Sequence, residues 1–193
     1  MTLTNPWKTI RSRIAYQNPW VRVREDEVLR PDGKPGIYGV IEIRPSVGVL
    51  AFDDAGQLAI VGQWRYTLNR YSYEIVRGGS WQGETDMLAV AQRELREEAG
   101  YQAAHWEPLG SADVCNGVTT DIQYFFIAKG LRYLGTDQDP YEQIATEWHP
   151  FDRVREMIFE GVITEVCSVA AILKYDALRK AHEIHDGRRD ILP

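Results

Sequence analysis

Eight consecutive residues, Arg93-Glu94-Leu95-Arg96-Glu97-Glu98-Ala99-Gly100, constrain this chain more than any other stretch. They are good helix formers that end on a glycine, which predicts a helix over 87–99 with Gly100 as its C-cap. Leu88, Ala91, Leu95 and Ala99 recur at three- and four-residue steps and form the stripe such a helix buries. A helix advances about 100° per residue, so Glu94 and Glu98 share a face and Glu97 lies beside them. Arg93 stands one turn before Glu97 and can pair with it. Like charges one turn apart cost roughly a few tenths of a kcal/mol on a free helix. Three clustered carboxylates therefore call for a neutralising partner. Arg93 and Arg96 do this in part, and a divalent cation does it better. Magnesium favours oxygen ligands and keeps several waters, so such carboxylates suit it. Taken without its surroundings, the same run reads first as an ordinary solvated helix face.

Around this helix the pattern is α/β with strands outnumbering helices. Alternation over 20–29 and 37–44, separated by the turn cluster Pro31-Asp32-Gly33-Lys34-Pro35-Gly36, predicts a β-hairpin set apart from the rest. Residues 1–15 carry only weak patterning. Strands are expected at 47–52, 57–64, 71–76, 106–111, 123–128 and 144–151. Residues 80–86 read as a polar loop and 132–143 as a long one. Helices are expected at 152–160, stopped by Gly161, and at 168–185, followed by a charged tail. The domain reading is a hairpin extension over 1–45 and a main domain over 46–193.

A net charge of −6 argues against a nucleic-acid-binding surface, which needs a basic face. An acidic chain that handles a phosphate substrate needs bound cations or a few placed arginines. No apolar run approaches the length of a membrane span, and no signal-peptide core is visible. Cys115 and Cys167 show neither CxxC nor zinc spacing, so a reducing, cytoplasmic compartment is the expectation. Cys115 reads as a small packing residue. The four histidines show no ligand spacing, and His182 and His185 read as surface residues of the last helix.

Upstream of the helix stand Gly78, five residues, and Glu84; then come Arg93-Glu94-Leu95-x-Glu97-Glu98-x-Gly100. This succession closely resembles the Nudix box. It departs from that pattern in two places. The spacer from Glu84 to Arg93 is eight residues instead of seven, which leaves the role of Glu84 open, and Tyr101 stands where an aliphatic is usual. The segments Val61-Gly62-Gln63-Trp64-Arg65-Tyr66 and Tyr73-Glu74-Ile75-Val76-Arg77-Gly78-Gly79 are similar to the approach to the box in ADP-ribose pyrophosphatases. Glu160-Gly161-Val162-Ile163-Thr164 followed by Ser168-Val169-Ala170-Ala171 is similar to the end of that subfamily.

The resemblance implies a Nudix α/β/α sandwich with a mixed sheet and an N-terminal β-hairpin extension. It implies hydrolysis of the diphosphate of ADP-ribose or of a nucleoside-diphosphate sugar, with Mg2+ as cofactor and Mn2+ as the alternative. Glu94, Glu97 and Glu98 would bind the metal, joined by the backbone carbonyl of Arg77, while Arg93 holds the glutamates in place. Asp121, in the segment Cys115-Asn116-Gly117-Val118-Thr119-Thr120-Asp121, is the candidate general base, with Glu98 or Glu97 as the alternatives. Arg65 and Arg44 would contact the substrate, with salt bridges as their competing reading. Glu74 falls at the site or at a subunit interface. Trp20 would stack on the base, or else anchor the hairpin; Trp81 is a weaker candidate for the same stacking. A homodimer that exchanges the extension is implied, with no nucleic-acid or membrane partner. The alternative function is a Nudix-fold module that binds a nucleotide without cleaving it.

Overall fold

The computed structural model describes residues 4–138 and 143–189, the last eight of these by their helical backbone alone. The side chains of His182 and His185, and the tail beyond 189, lie outside the described residues. The chain divides into two units.

The first unit combines the described part of Met1–Pro45 with Asp113–Ile122. It contains a three-stranded antiparallel sheet in the order β1-β2-β3: β1 (Lys8–Gln17), β2 (Arg22–Leu29) and β3 (Pro35–Glu42). β2 and β3 form the expected hairpin, and Gly33 supplies the left-handed residue of its turn at φ +78°. β1 was not anticipated. Its apolar residues, Ile10, Ile14 and Tyr16, alternate only in part, with Ser12 between them, and every residue of the strand is exposed. The antiparallel ladder with β2 holds it, and across that ladder Arg11 pairs with Glu27, and Arg13 with Glu25 at 2.8 Å. The 113–122 loop docks on β3. Ile41 N–H donates to Val118 O at 2.8 Å, and Thr120 N–H donates back to Ile41 O at 3.1 Å. The Tyr38 hydroxyl donates to Gly117 O at 2.9 Å.

The second unit, Ser46–Ala112 with Gln123–Pro193, holds the core. A four-stranded mixed sheet runs β7-β4-β9-β8, with β4 (Ser46–Ala51) antiparallel to β7 (Val76–Gly79) and parallel to β9 (Ile122–Tyr133). A second sheet, β10-β5-β6, is antiparallel and comprises β5 (Gln57–Arg65), β6 (Arg70–Glu74) and β10 (Ala145–Pro150). β8 (Tyr101–Asp113) forms an edge. All six residues of β4 are buried, as expected of a strand covered on both faces. Val47, Val49 and Ala51 pack with Val90, Ala91, Leu95 and Ala99 of the central helix. Fully burying a side chain of valine or leucine size contributes about 1.5–3 kcal/mol, so this contact fixes the helix on the sheet. Helix α2 (Phe151–Phe159) lies against β5 and β10, and α3 (Val166–Arg189) against β4.

Three expectations need correction. The strand expected at 71–76 is two strands, β6 and β7, in different sheets. They part at Ile75, whose N–H is taken by the Ser168 hydroxyl at 3.1 Å. β8 and β9 extend well beyond 106–111 and 123–128, because their ends are exposed and carry no apolar run. The central helix is α-helical only over α1 (Met87–Glu94); Leu95–Ala99 is a π-helical turn closed by Gly100 at φ +79°. Asp86 caps its start, accepting from Leu88 N at 3.0 Å and Ala89 N at 3.3 Å.

Candidate active site

The carboxylate face of α1 and its π turn is organised by one arginine. Arg93 Nη1 donates to Glu94 at 2.9 Å and to Glu97 at 2.8 Å. Its Nη2 donates to Gly79 O at 3.0 Å and reaches Glu84 at 3.3 Å. Its guanidinium lies 4.2 Å from the centre of the Trp81 ring, a cation–π contact. Burial alone would ease off its proton, but the charge of Glu94 and the bond to Glu97 outweigh that and raise its pKa. Glu84, whose role the eight-residue spacer left open, therefore joins the cluster; its carboxylate also accepts Trp81 N–H at 2.6 Å and closes the loop before α1. Trp81 covers this arginine.

Glu94 and Glu98 are nearly buried, at 7% and 6% exposure, as their shared face predicts. Arg77 N–H donates to Glu98 at 3.0 Å. Gly78 faces Glu94 so closely that a Cβ there would fall 2.1 Å from its carboxyl carbon. The neighbouring Gly79 has nothing within 4 Å of such a Cβ. The box glycine is thus required by close approach of strand β7 to the carboxylate, and a π turn at this point is the kind of local irregularity that recurs at functional sites.

A second network adjoins Arg77. Glu74, at the end of β6, is 1% exposed and accepts both prongs of Arg65, at 2.8 and 2.5 Å. Burial pushes the Glu74 carboxyl up, but the Arg65 hydrogen bonds and the charges of Arg65 and Arg77 outweigh it and hold the pKa below the usual carboxylate range. Arg65 is raised in turn, first by its hydrogen bond to Glu74. Arg77 Nη1 lies 3.6 Å from Glu74 and 3.4 Å from Glu165, and its Nη2 donates to Gln123 at 3.2 Å. Glu165 caps α3 by accepting Cys167 N at 2.9 Å and Ser168 N at 2.7 Å. Glu165 and Gln123 were not singled out in the sequence, and Ser168 only as part of the segment Ser168-Val169-Ala170-Ala171. An acidic residue immediately before a helical run was the available signal for Glu165; nothing local marks Gln123.

One unit therefore gathers Arg65, Glu74, Arg77, Arg93, Glu94, Glu97 and Glu98. Trp20, Arg44 and Asp121 belong to the other. There, Asn18 Oδ1 accepts the N–H groups of Trp20 at 2.9 Å and Val21 at 2.8 Å, a turn that leaves the indole 77% exposed. Arg44 Nη2 donates to Pro19 O at 3.0 Å, which brings the arginine beside that turn. Asp121 closes its loop through Val114 N–H to Asp121 O at 2.9 Å. Cys115, expected to pack, is exposed in this loop.

Among the described residues, no three Asp, Glu, His or Cys side chains converge tightly enough to hold a metal ion. Glu94 and Glu97 turn toward Arg93, and Glu98 reaches the Arg77 N–H. The donor set is nevertheless all oxygen. Two nearly buried carboxylates lie one turn apart, with a half-buried third between them, and this fits a hard divalent cation.

Known proteins share this fold and these domains. The model of the NUDIX domain matches residues 42–166, and that of the nucleoside diphosphate sugar hydrolase N-terminal domain matches residues 7–41. The chain is 30% identical over 175 residues to the ADP-ribose pyrophosphatase of Mycobacterium tuberculosis (strain ATCC 25618 / H37Rv), covering 89% of this chain and 84% of that protein. It is 30% identical over 138 residues to the methanol dehydrogenase activator of Bacillus methanolicus, covering 69% of this chain and 74% of that one. A solved structure of an ADP compounds hydrolase superposes with a TM-score of 0.83 at 16% identity, covering 94% of this chain and 98% of the other.

Proposed function

The chain belongs to the NUDIX family, and from that membership we propose that it is a magnesium-dependent pyrophosphohydrolase that cleaves ADP-ribose or a nucleoside-diphosphate sugar to a nucleoside monophosphate and a sugar phosphate. The observation that carries the reading is the convergence of Glu84, Glu94 and Glu97 on Arg93, with Glu98 on the adjoining N–H of Arg77. In this reading Glu94, Glu97, Glu98 and the carbonyl of Arg77 hold Mg2+, with Mn2+ as the alternative. When bound, the metal offsets diphosphate charge and eases deprotonation of water. Arg93 holds Glu94 and Glu97 together through its bonds to both. The water's proton passes to a carboxylate, with Glu98, Glu97 and Asp121 as the candidates.

Arg65 and Arg44 are assigned to the substrate's phosphates, whose geometry a guanidinium fork matches. Arg65 is available through the edge not committed to Glu74, which in this reading serves as its anchor. Trp20 is assigned to the base: its ring is held out by the Asn18 turn, next to Arg44. The names of the relatives support ADP-ribose and nucleotide sugars as the class to test first.

We also propose a homodimer formed through the N-terminal sheet, which exposes Ile10, Ile14, Tyr16 and Ile37. A monomeric mass at micromolar concentration would remove that assignment.

The reaction is tested by following monophosphate release from ADP-ribose, ADP-glucose, GDP-mannose, NADH and diadenosine polyphosphates, with magnesium and with a chelator. Metal-dependent cleavage of ADP-ribose or one sugar nucleotide is expected. Tight binding of ADP-ribose with no cleavage of any compound would replace the enzyme with a nucleotide-binding module.

A further inference from the structure

A cavity of about 360 Å³ opens on the flank of the central helix, between Gln92 and Arg96 and the start of β8. Tyr101, Trp106 and Leu134 give it an apolar wall, and Gln102 adds a second amide to that of Gln92. Its volume falls within the range of small-molecule sites. Arg96 is the unusual member. Its Nη1 is shielded from solvent and has no hydrogen-bond partner among the described residues. A guanidinium stays charged at any ordinary pH. A desolvated charged donor without an acceptor is unfavourable unless a ligand completes it. Arg93 also lines the cavity, but its two terminal nitrogens are committed to Glu84, Glu94, Glu97 and Gly79. Arg93 Nε also has no hydrogen-bond partner among the described residues, so the terminal guanidinium nitrogen left to take a ligand is Nη1 of Arg96.

We propose that this cavity binds a small organic anion: a phosphate or carboxylate head anchored by Arg96, on a planar apolar body seated against Trp106 and Tyr101. The glutamine amides on either side donate further hydrogen bonds to the head. The apolar wall accounts for the body, because Tyr101, Trp106 and Leu134 line the cavity together with Arg96. The site shares Arg93 in its wall with the carboxylate cluster, but its anchor, Arg96, takes no part in the bonds of Arg93 to Glu94 and Glu97, and the proposal does not depend on the hydrolytic reading.

Trp106 provides a local reporter. Its indole N–H donates to Ala103 O at 3.2 Å within the cavity wall, and the chain has six tryptophans, so the indole region of a 1H–15N spectrum is simple enough to assign with Trp106→Phe. The protein is titrated in chelator with phenyl phosphate, benzoate and phenol. A saturable shift of the Trp106 signal is expected with phenyl phosphate or benzoate, the tighter of the two identifying the head group, and not with phenol. Arg96→Gln is expected to weaken that binding by about tenfold to a hundredfold, the scale of a charge-assisted hydrogen-bond pair. If Arg96→Gln does not fold, Leu134→Glu supplies a competing carboxylate in the wall and is expected to abolish the shift. The proposal is overturned if neither anion shifts Trp106, if phenol acts as strongly as phenyl phosphate, or if the substituted protein binds as the parent does.

Discussion

The central helix and the N-terminal sheet both rely on arginine–glutamate pairs, and they use them to opposite ends. In the sheet, the arginines of the Arg11–Glu27 and Arg13–Glu25 pairs stand on a strand open to water, with side chains 70% and 59% exposed. Such pairs gain little, because solvent screens the charge and ordering two long side chains costs entropy. In the second unit, Arg93 is 17% exposed and Arg65 pairs with a carboxylate that is 1% exposed. Low surrounding polarisability strengthens each contact there and makes an unpaired charge costly. The same two residue types thus register a strand in one place and hold a cluster of negative charge in the other. Burial, not residue type, separates scaffold from chemistry.

The sharpest way to break this comparison is Glu98→Gln. It keeps shape and removes one charge from the buried cluster, and turnover on the cleaved substrate is expected to fall by about a hundredfold or more. Circular dichroism should show an unchanged fold. Turnover within twofold of the parent would remove Glu98 from the reaction.

Next is Arg65→Ala, which strands Glu74. A loss of about 2–3 kcal/mol is expected in urea unfolding, below the cost for a fully buried pair because Arg65 is a third exposed and Arg77 remains nearby. The pH dependence follows from the same pair. Folded Glu74 holds its proton less tightly than the unfolded chain does. Its contribution is therefore complete above the unfolded carboxylate value of about 4.3 and is lost as pH falls through the lower folded value. Unfolding followed from pH 6 down to pH 3 should show this loss in the parent and less of it in Arg65→Ala.

Gly78→Ala and Gly79→Ala form a third contrast. The first drives a methyl into Glu94, with an expected loss of about 1–3 kcal/mol and of most activity. The second meets nothing within 4 Å and should change stability by less than about 0.5 kcal/mol. The smallest effect is expected in the exposed ladder. Arg13→Ala should cost less than about 1 kcal/mol, with the difference shrinking further in 1 M salt. A larger, salt-insensitive loss would mean that Arg13 holds β1 by more than surface charge.

What could be read in advance follows the same division. The helix, its buried stripe, its Gly100 cap and the Arg93–Glu97 pair were legible because they depend on local spacing. The π turn was not, since α and π turns use the same good helix formers. β1 escaped because its signal is complementarity with Glu25 and Glu27 more than ten residues away. The bidentate Arg65–Glu74 pair was not specified, because both residues had separate candidate roles and the β5–β6 register sets Glu74 opposite Val61 and Arg65 opposite Arg70, so only the reach of the arginine side chain joins them. Glu84 was left open by counting residues, yet loop 80–86 absorbs the extra one and returns its carboxylate to Arg93. Gln123 is the extreme case: its contacts with Ser46 and Arg77 exist only after β9 pairs with β4.

The central claim is that the carboxylates of the central helix are a divalent-cation site for diphosphate hydrolysis. Its most direct test is AMP release from ADP-ribose as magnesium is titrated into metal-stripped protein. The account predicts negligible release in chelator, a saturable rise with magnesium, and a weakened apparent magnesium affinity in Glu94→Gln. Equal release with and without magnesium, or an unchanged magnesium dependence in Glu94→Gln, would contradict it.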